Sequence, residues 1–131
     1  MKSLRIVIGR LFTVVSIGVL SALASAGEIA YEKADFDSAL AAPNGFVLVL
    51  VTDWCTTCST QEAAVAELLQ ESRFKGLTLF VADFDREVEL RRRFRVVVQG
   101  TFVVFKDGSE VTRSTGVTDK AAIAALFAKA L

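Results

Sequence analysis

From residue 28 onward, short apolar runs alternate with stretches whose apolar side chains recur every three or four positions. The continuous apolar run at 46–52 is typical of a strand buried on both faces, as in a parallel sheet. Strands are predicted at 28–31, 46–52, 77–84, 101–106 and 110–114. Helices are predicted at 34–42, 58–72, 85–95 and 120–131. Strands that alternate with helices predict an α/β domain with a parallel portion.

Turn and capping residues separate these elements. Asp107 and Gly108 form a strong hairpin signal between the last two strands, which adds an antiparallel edge to the sheet. Asp85 is expected to cap the third helix, and Thr118 or Asp119 the last one. The predicted order is therefore β-α-β-α-β-α-β-β-α in a single domain.

The first 26 residues have the pattern of a secretory signal peptide. A positive start is followed by an apolar stretch at 11–23 and by small residues that end in Ala26. The basic residues at the start are Lys2, Arg5 and Arg10. We expect cleavage after Ala26, which leaves one domain over 27–131.

An uncleaved membrane anchor is the alternative for this segment. The uncharged stretch at 11–27 has 17 residues, fewer than the roughly 20 that span a bilayer comfortably. Cleavage and a periplasmic or otherwise exported location are therefore the predicted outcome. Such a compartment is oxidising, and a disulfide persists there.

The charge balance argues against a nucleic-acid partner. All 15 acidic residues but only 12 of the 15 basic residues lie in 27–131, which gives that part a net charge of −3. Proteins that bind nucleic acid usually present a basic surface. Arg91, Arg92, Arg93 and Arg95 form a basic cluster, which is read as the solvated face and end of a helix, with a docking patch for an acidic partner as the alternative.

The candidate chemistry lies between the second strand and the second helix. Trp54 and Cys55 are followed by Thr56, Thr57 and Cys58. A cysteine at the first turn of a helix faces free backbone N–H groups and the positive end of the helix dipole, which stabilise a thiolate. An ordinary cysteine, with a pKa of about 8.5, is only about 3% thiolate at pH 7, whereas a pKa near 7 raises that to about half. The spacing therefore indicates a redox-active pair.

Other interpretations of the pair remain, two structural and two functional. A structural disulfide across two residues closes a very short loop and contributes only about 2 kcal/mol. A zinc site needs four ligands, and the chain has two cysteines and no histidine, so no metal site is predicted. The functional alternatives are a copper(I) chaperone, since two thiolates suit that ion, and a peptide-binding module without redox activity.

Four segments in this order resemble the thioredoxin family over about residues 28–131. The first is the apolar strand that ends in Trp54 and the cysteine pair, and the second is 81–85, like the strand before the family's third helix. The third is 100–108, like the family's Pro-Thr-strand-Lys-Asn-Gly segment, and the fourth is Gly116 before the last helix. The resemblance implies a thioredoxin-like fold, a central mixed sheet with a C-terminal antiparallel hairpin and flanking helices.

The resemblance also implies roles for individual residues. Cys55 is expected to attack a substrate disulfide and Cys58 to resolve the mixed disulfide. No cofactor is expected beyond this redox-active pair. The expected partners are protein disulfides or dithiols, with a membrane thiol transporter as a candidate electron donor. The motif and substrate-contacting residues are Trp54, Thr56, Thr57, Gln99, Gly100 and Thr101.

Two departures from the family pattern lie next to the cysteines. Thr56 and Thr57 stand where the family usually has Gly-Pro, and Gly100 replaces its cis-proline. A cis bond before a residue other than proline costs about 2.5–4 kcal/mol, so a trans Gln99–Gly100 bond is predicted. Gly100 is also expected to leave the cysteine pair less covered.

A third departure concerns proton transfer. Val49 and Val81 stand where the family has a buried aspartate and its lysine, and in thioredoxins that aspartate helps to move the proton of the resolving cysteine. Water is expected to take this role, or less directly Asp53 or Glu62, although Asp53 is better explained as a solvated loop residue.

Overall fold

The computed structural model describes residues 27–131. The predicted signal peptide and its cleavage site therefore lie outside the described residues. Within 27–131, no helix is both long and apolar enough to cross a bilayer.

Between residues 27 and 131, five strands and four helices follow one another in the predicted order. The strands are β1 (Gly27–Ala30), β2 (Phe46–Val51), β3 (Thr78–Asp83), β4 (Thr101–Lys106) and β5 (Ser109–Thr115). The helices are α1 (Lys33–Ala41), α2 (Thr56–Leu68), α3 (Val88–Phe94) and α4 (Lys120–Ala128). A short 3₁₀ turn at Ser72–Phe74 connects α2 to β3.

The strands form one mixed sheet in the order β1-β3-β2-β4-β5. Strands β1, β3 and β2 are parallel, whereas β4 is antiparallel to β2 and β5 is antiparallel to β4. The predicted mixed sheet with its C-terminal hairpin is confirmed. The central strand β2 thus ends between β3 and β4, and the cysteine motif begins at that edge of the sheet.

Side chains of β2 alternate between two apolar cores, which explains why this strand has no polar positions. Val47 and Val49 pack with α2 and α4, where Phe127 is fully buried. Phe46, Leu48 and Leu50 pack on the opposite face with α1 and α3. Full burial of one such side chain contributes about 1.5–3 kcal/mol.

Phe36 of α1 anchors the second core by edge-on contacts with other aromatic rings. Its ring centroid lies 5.3–5.7 Å from the centroids of Phe46, Phe80, Phe94 and Phe105. Tilted ring pairs at such distances contribute about 0.5–1.5 kcal/mol beyond the area that they bury.

The predicted start of the third helix is wrong. Helix α3 begins at Val88 after Glu87, which makes no side-chain cap, and Asp85 caps nothing. Instead the Asp83 carboxylate accepts the backbone N–H groups of Asp85 and Arg86, each at 2.9 Å, and stabilises a turn before the helix. Thr118 and Asp119 were the two candidate caps of the last helix. Asp119 is the cap, because its carboxylate accepts the N–H of Ala122 at 2.9 Å.

Candidate active site

The first cysteine is the N-cap of helix α2. Strand β2 ends at Val51, residues 52–54 form a turn, and Cys55 precedes the first helical residue, Thr56. The Cys55 sulfur accepts a hydrogen bond from the backbone N–H of Cys58 at 3.1 Å. This is the bond that an N-cap oxygen normally accepts, so the sulfur occupies the position where the helix stabilises negative charge.

Cys55 and Cys58 form a disulfide, with their Cα atoms 5.2 Å apart. In this oxidised form both residues are largely buried, with exposed fractions of 6% and 5%. Both cysteines are thus buried in the disulfide state although Gly100 stands in place of the family's proline, and exposure alone does not distinguish the attacking from the resolving sulfur.

Trp54 is the large exposed side chain beside the disulfide. Its exposed fraction is 66%, and its indole N–H donates to the carboxylate of Asp85 at 3.3 Å. Thr56 and Thr57 are also exposed, on the first turn of α2. These three side chains are accessible to a macromolecular substrate.

The loop before β4 approaches the cysteines through Gly100. Every peptide bond in 27–131 is trans, so the predicted trans Gln99–Gly100 bond is confirmed. Gly100 has a φ of +73°, a region that side chains disfavour, and its N–H donates to the Leu50 carbonyl at 2.7 Å. Its carbonyl accepts the N–H of Gly116 at 3.0 Å, which ties the loop to the segment before α4.

Thr101 is buried and its hydroxyl bonds the loop before β4 instead of facing solvent. Its exposed fraction is 2%, and its hydroxyl donates to the Val98 carbonyl at 2.7 Å and pairs with the hydroxyl of Thr115 at 2.8 Å. Gln99 is half-buried, and Val97 and Val98 are exposed. Of the residues predicted to contact substrate, Thr101 is therefore placed to support the loop.

Sequence reasoning missed Gln61, whose exposed fraction is 2%. Its amide Nε2 donates to the carbonyl of Gly100 at 3.0 Å and to the carbonyl of Val117 at 2.9 Å. A methyl group added to Gly100 would lie 3.2 Å from Gln61 Oε1 and 3.7 Å from the Cys58 sulfur. Gln61 thus fills space beside the disulfide. The available signal was its spacing, three residues after Cys58 and four before the buried Val65, on the inward face of α2.

A cavity of about 210 Å³ opens behind Cys58. Its lining includes Val49, which stands where the family has its buried aspartate. Glu28, Asp53 and Glu62 also line it. Partial burial, and secondarily the charge of Glu62, raise the pKa of Glu28 above its usual value. Asp53 is exposed, as expected for a solvated loop residue.

No cluster of three or more metal-ligating side chains occurs anywhere in the described domain. Three arginines of the basic cluster contact side chains of this same domain. Arg92 pairs with Glu89 at 3.1 Å and Arg93 pairs with Asp37 at 2.7 Å. The guanidinium of Arg91 lies 4.2 Å from the centroid of the Phe84 ring. These contacts favour the interpretation of the cluster as a helix surface.

Comparison with known proteins agrees with the resemblance in the motifs. The family model described as Thioredoxin matches residues 28–129. The chain belongs to the thioredoxin family. Family membership and the Cys55–Cys58 disulfide together support thiol-disulfide oxidoreductase chemistry in this domain.

Individual thioredoxins are similar over most of the domain. The thioredoxin of Mycobacterium tuberculosis is 39% identical over 77 residues, which cover 57% of this chain and 66% of that protein. The chain thus spans about two thirds of the length of this relative. The thioredoxin of Chlamydia muridarum is 32% identical over 87 residues, which cover 66% of this chain and 83% of that protein.

Solved structures show the same fold. The crystal structure of Trxlp from Edwardsiella tarda is 29% identical, with a TM-score of 0.74, and the match covers 77% of this chain and 98% of that one. The thioredoxin of Fasciola hepatica is 22% identical with a TM-score of 0.65, over 75% of this chain and 93% of that one. The predicted thioredoxin-like fold is confirmed.

Proposed function

We propose that this thioredoxin-family protein is an exported thiol-disulfide oxidoreductase that reduces disulfides of extracytoplasmic proteins. The observation that carries the chemistry is the hydrogen bond from the Cys58 N–H to the Cys55 sulfur at the start of α2. A sulfur held there is stabilised as a thiolate after reduction, and the thiolate is the nucleophile in disulfide exchange.

The reaction proceeds by two exchanges. The Cys55 thiolate attacks one sulfur of the substrate disulfide, and the other substrate sulfur leaves and takes up a proton. The Cys58 thiol loses its proton and attacks the Cys55 sulfur, which forms the Cys55–Cys58 disulfide and releases the second substrate thiol. Two electrons pass from the protein dithiol to the substrate, and no cofactor other than the cysteine pair takes part.

The substrate is proposed to bind across the exposed surface around Trp54. This side chain is 66% exposed and oriented by its bond to Asp85. Val97 and Val98, on the loop that leads to Gly100, add further exposed apolar surface. Exposed apolar side chains beside a reactive group are typical of an interaction site for another polypeptide.

The proposed location and electron supply depend on the N-terminal segment. Its charge and hydrophobicity pattern supports export, with the domain released after Ala26. An exported reductant has to be recharged with electrons in an oxidising compartment, and a membrane thiol transporter is the proposed donor. Cell fractionation, with the mass of the protein recovered from the exported fraction, tests this part. A mass that matches residues 27–131 supports cleavage, and the full-length mass contradicts it.

The exchange reaction is tested by trapping substrates in the cell. The Cys58→Ser variant cannot resolve the mixed disulfide, so partners are expected to accumulate as reducible conjugates through Cys55. The Cys55→Ser and doubly substituted variants serve as matched controls and should trap nothing at that position. Folded Cys58→Ser protein without any such conjugates would contradict the proposed exchange.

The direction of electron flow is tested by the reduction potential of the pair in glutathione buffers. A value near about −270 mV supports a thioredoxin-like reductant. A value near about −120 mV indicates an oxidant and contradicts the proposed direction.

A further inference from the structure

The side-chain amide of Gln61 has a single allowed orientation. Its Nε2 donates to the carbonyl oxygens of Gly100 and Val117. Carbonyl oxygens only accept hydrogen bonds, so the nitrogen has to face both of them. The amide oxygen, Oε1, therefore bonds neither of these two carbonyls.

Within the described domain, Gln61 Oε1 is buried and receives no hydrogen bond. Buried polar atoms without a partner are uncommon in folded proteins, and each one calls for an explanation. A Cβ added to Gly100 would lie 3.2 Å from Oε1 and 3.7 Å from the Cys58 sulfur, so both atoms lie close to the same point. The unpaired oxygen and the second sulfur of the disulfide thus border the same small space above Gly100.

Reduction changes what the Cys58 sulfur offers to this space. In the disulfide form the sulfur carries no proton and cannot donate. Two electrons and two protons from a dithiol donor break the Cys55–Cys58 bond and give two thiol groups, and the S–H of Cys58 is then a hydrogen-bond donor.

We propose that Gln61 is a positioning residue that favours the reduced form, because its Oε1 accepts the S–H of Cys58 only after the disulfide is reduced. The two bonds from Nε2 hold the amide in place in both states, so they do not bias the equilibrium themselves. The inference rests on the dithiol-disulfide chemistry of the proposed function, and it applies whichever way the electrons flow.

The first test is the equilibrium of the Gln61→Met variant with glutathione. Methionine is similar in size and flexible, but it provides no comparable acceptor. We expect the equilibrium constant to shift about fivefold to tenfold towards the disulfide, since one hydrogen bond is lost in the reduced state. A tenfold shift lowers the reduction potential by about 30 mV.

Gly116→Ala is the matched control for loop movement. Gly116 has a φ of +75° and precedes Val117, so alanine strains the loop that the amide holds but leaves Oε1 in place. This variant should lose thermal stability and keep the wild-type potential. A folded Gln61→Met protein with the wild-type potential would overturn the proposal, and so would an equal shift in Gly116→Ala.

A second measurement on the wild-type protein avoids any effect of substitution on folding. The chain has three glutamines, so their side-chain carbonyl carbons can be followed by NMR after ¹³C labelling. We expect the Gln61 carbonyl signal to shift on reduction as Oε1 gains a donor, and the signal of the exposed Gln70 to stay unchanged. An unchanged Gln61 signal would contradict the proposal, because it means that Oε1 has the same partner, such as water, in both states. A failure of the proposed function appears instead in the wild-type potential or in the trapping experiment.

Discussion

Gly100→Ala tests the account of the loop that replaces the family's proline. An alanine at a φ of +73° costs about 1–2 kcal/mol, of which about 0.4–1 kcal/mol is offset because alanine restricts the unfolded chain. The new methyl group also lies 3.2 Å from Gln61 Oε1, which is tighter than ordinary packing and costs roughly a further 1 kcal/mol. We therefore expect a loss of about 2 kcal/mol in the free energy of unfolding.

Urea denaturation of the oxidised domain measures this loss, and Gly116→Ala provides the reference. Gly116 has nearly the same φ, +75°, but no atom lies within 4 Å of an added Cβ. Gly116→Ala should therefore cost only about 1 kcal/mol, with an unchanged dependence on urea in both variants. If Gly100→Ala is no more destabilising than Gly116→Ala, the inferred contact between residue 100 and the Gln61 amide is wrong.

Two further predictions concern the helix cap and the cavity carboxylate. Asp119→Ala removes the acceptor for the Ala122 N–H and should lower the free energy of unfolding by about 1 kcal/mol. Asp119→Asn keeps an acceptor oxygen and should retain most of the wild-type stability. Denaturant titration measures both variants. The pKa of Glu28 is raised in the folded state, first by burial and then by the charge of Glu62. The folded protein therefore loses stability through this group as the pH rises from 4.5 through the folded pKa. Glu28→Gln should therefore be slightly more stable than the wild type at pH 7 and lose this advantage at pH 4, as measured by denaturant titration at both pH values. Equal differences at the two pH values would contradict the sign.

The sequence predicted the sheet because its strands are bounded by unambiguous signals. Strand β4 lies at Thr101–Lys106 as expected, between Gly100 and the hairpin turn at Asp107 and Gly108. The continuous apolar run of β2 likewise predicted burial on both faces, and the two cores confirm it.

Helix starts were less predictable because several residues can provide a cap. Asp83 and Asp85 are both suitable acceptors, and local pattern does not reveal that Asp83 bonds the backbone at the end of β3. Helix α2 starts at Thr56, before the predicted residue 58, because the sulfur of Cys55 takes the place of a capping oxygen.

The environment of the disulfide depends on contacts between residues distant in sequence. Gln61 is a polar residue in a helix and was not singled out as part of the site, yet it bonds backbone atoms 39 and 56 residues further along. The cysteines are buried in the disulfide state although the family's proline is absent at Gly100. The Gln61 side chain comes from α2, and its place beside Gly100 is visible only once the loop and the helix are placed together.

We infer above all that the start of helix α2 makes Cys55 an activated nucleophile. The decisive measurement is the alkylation rate of Cys55 by iodoacetamide in the reduced protein between pH 5 and about pH 10, with the modified cysteine identified by peptide mass. We expect the rate to rise with a midpoint near pH ~7 or below, because the helix stabilises the thiolate. A midpoint near about pH 8.5, with the rate of an ordinary thiol, would contradict it.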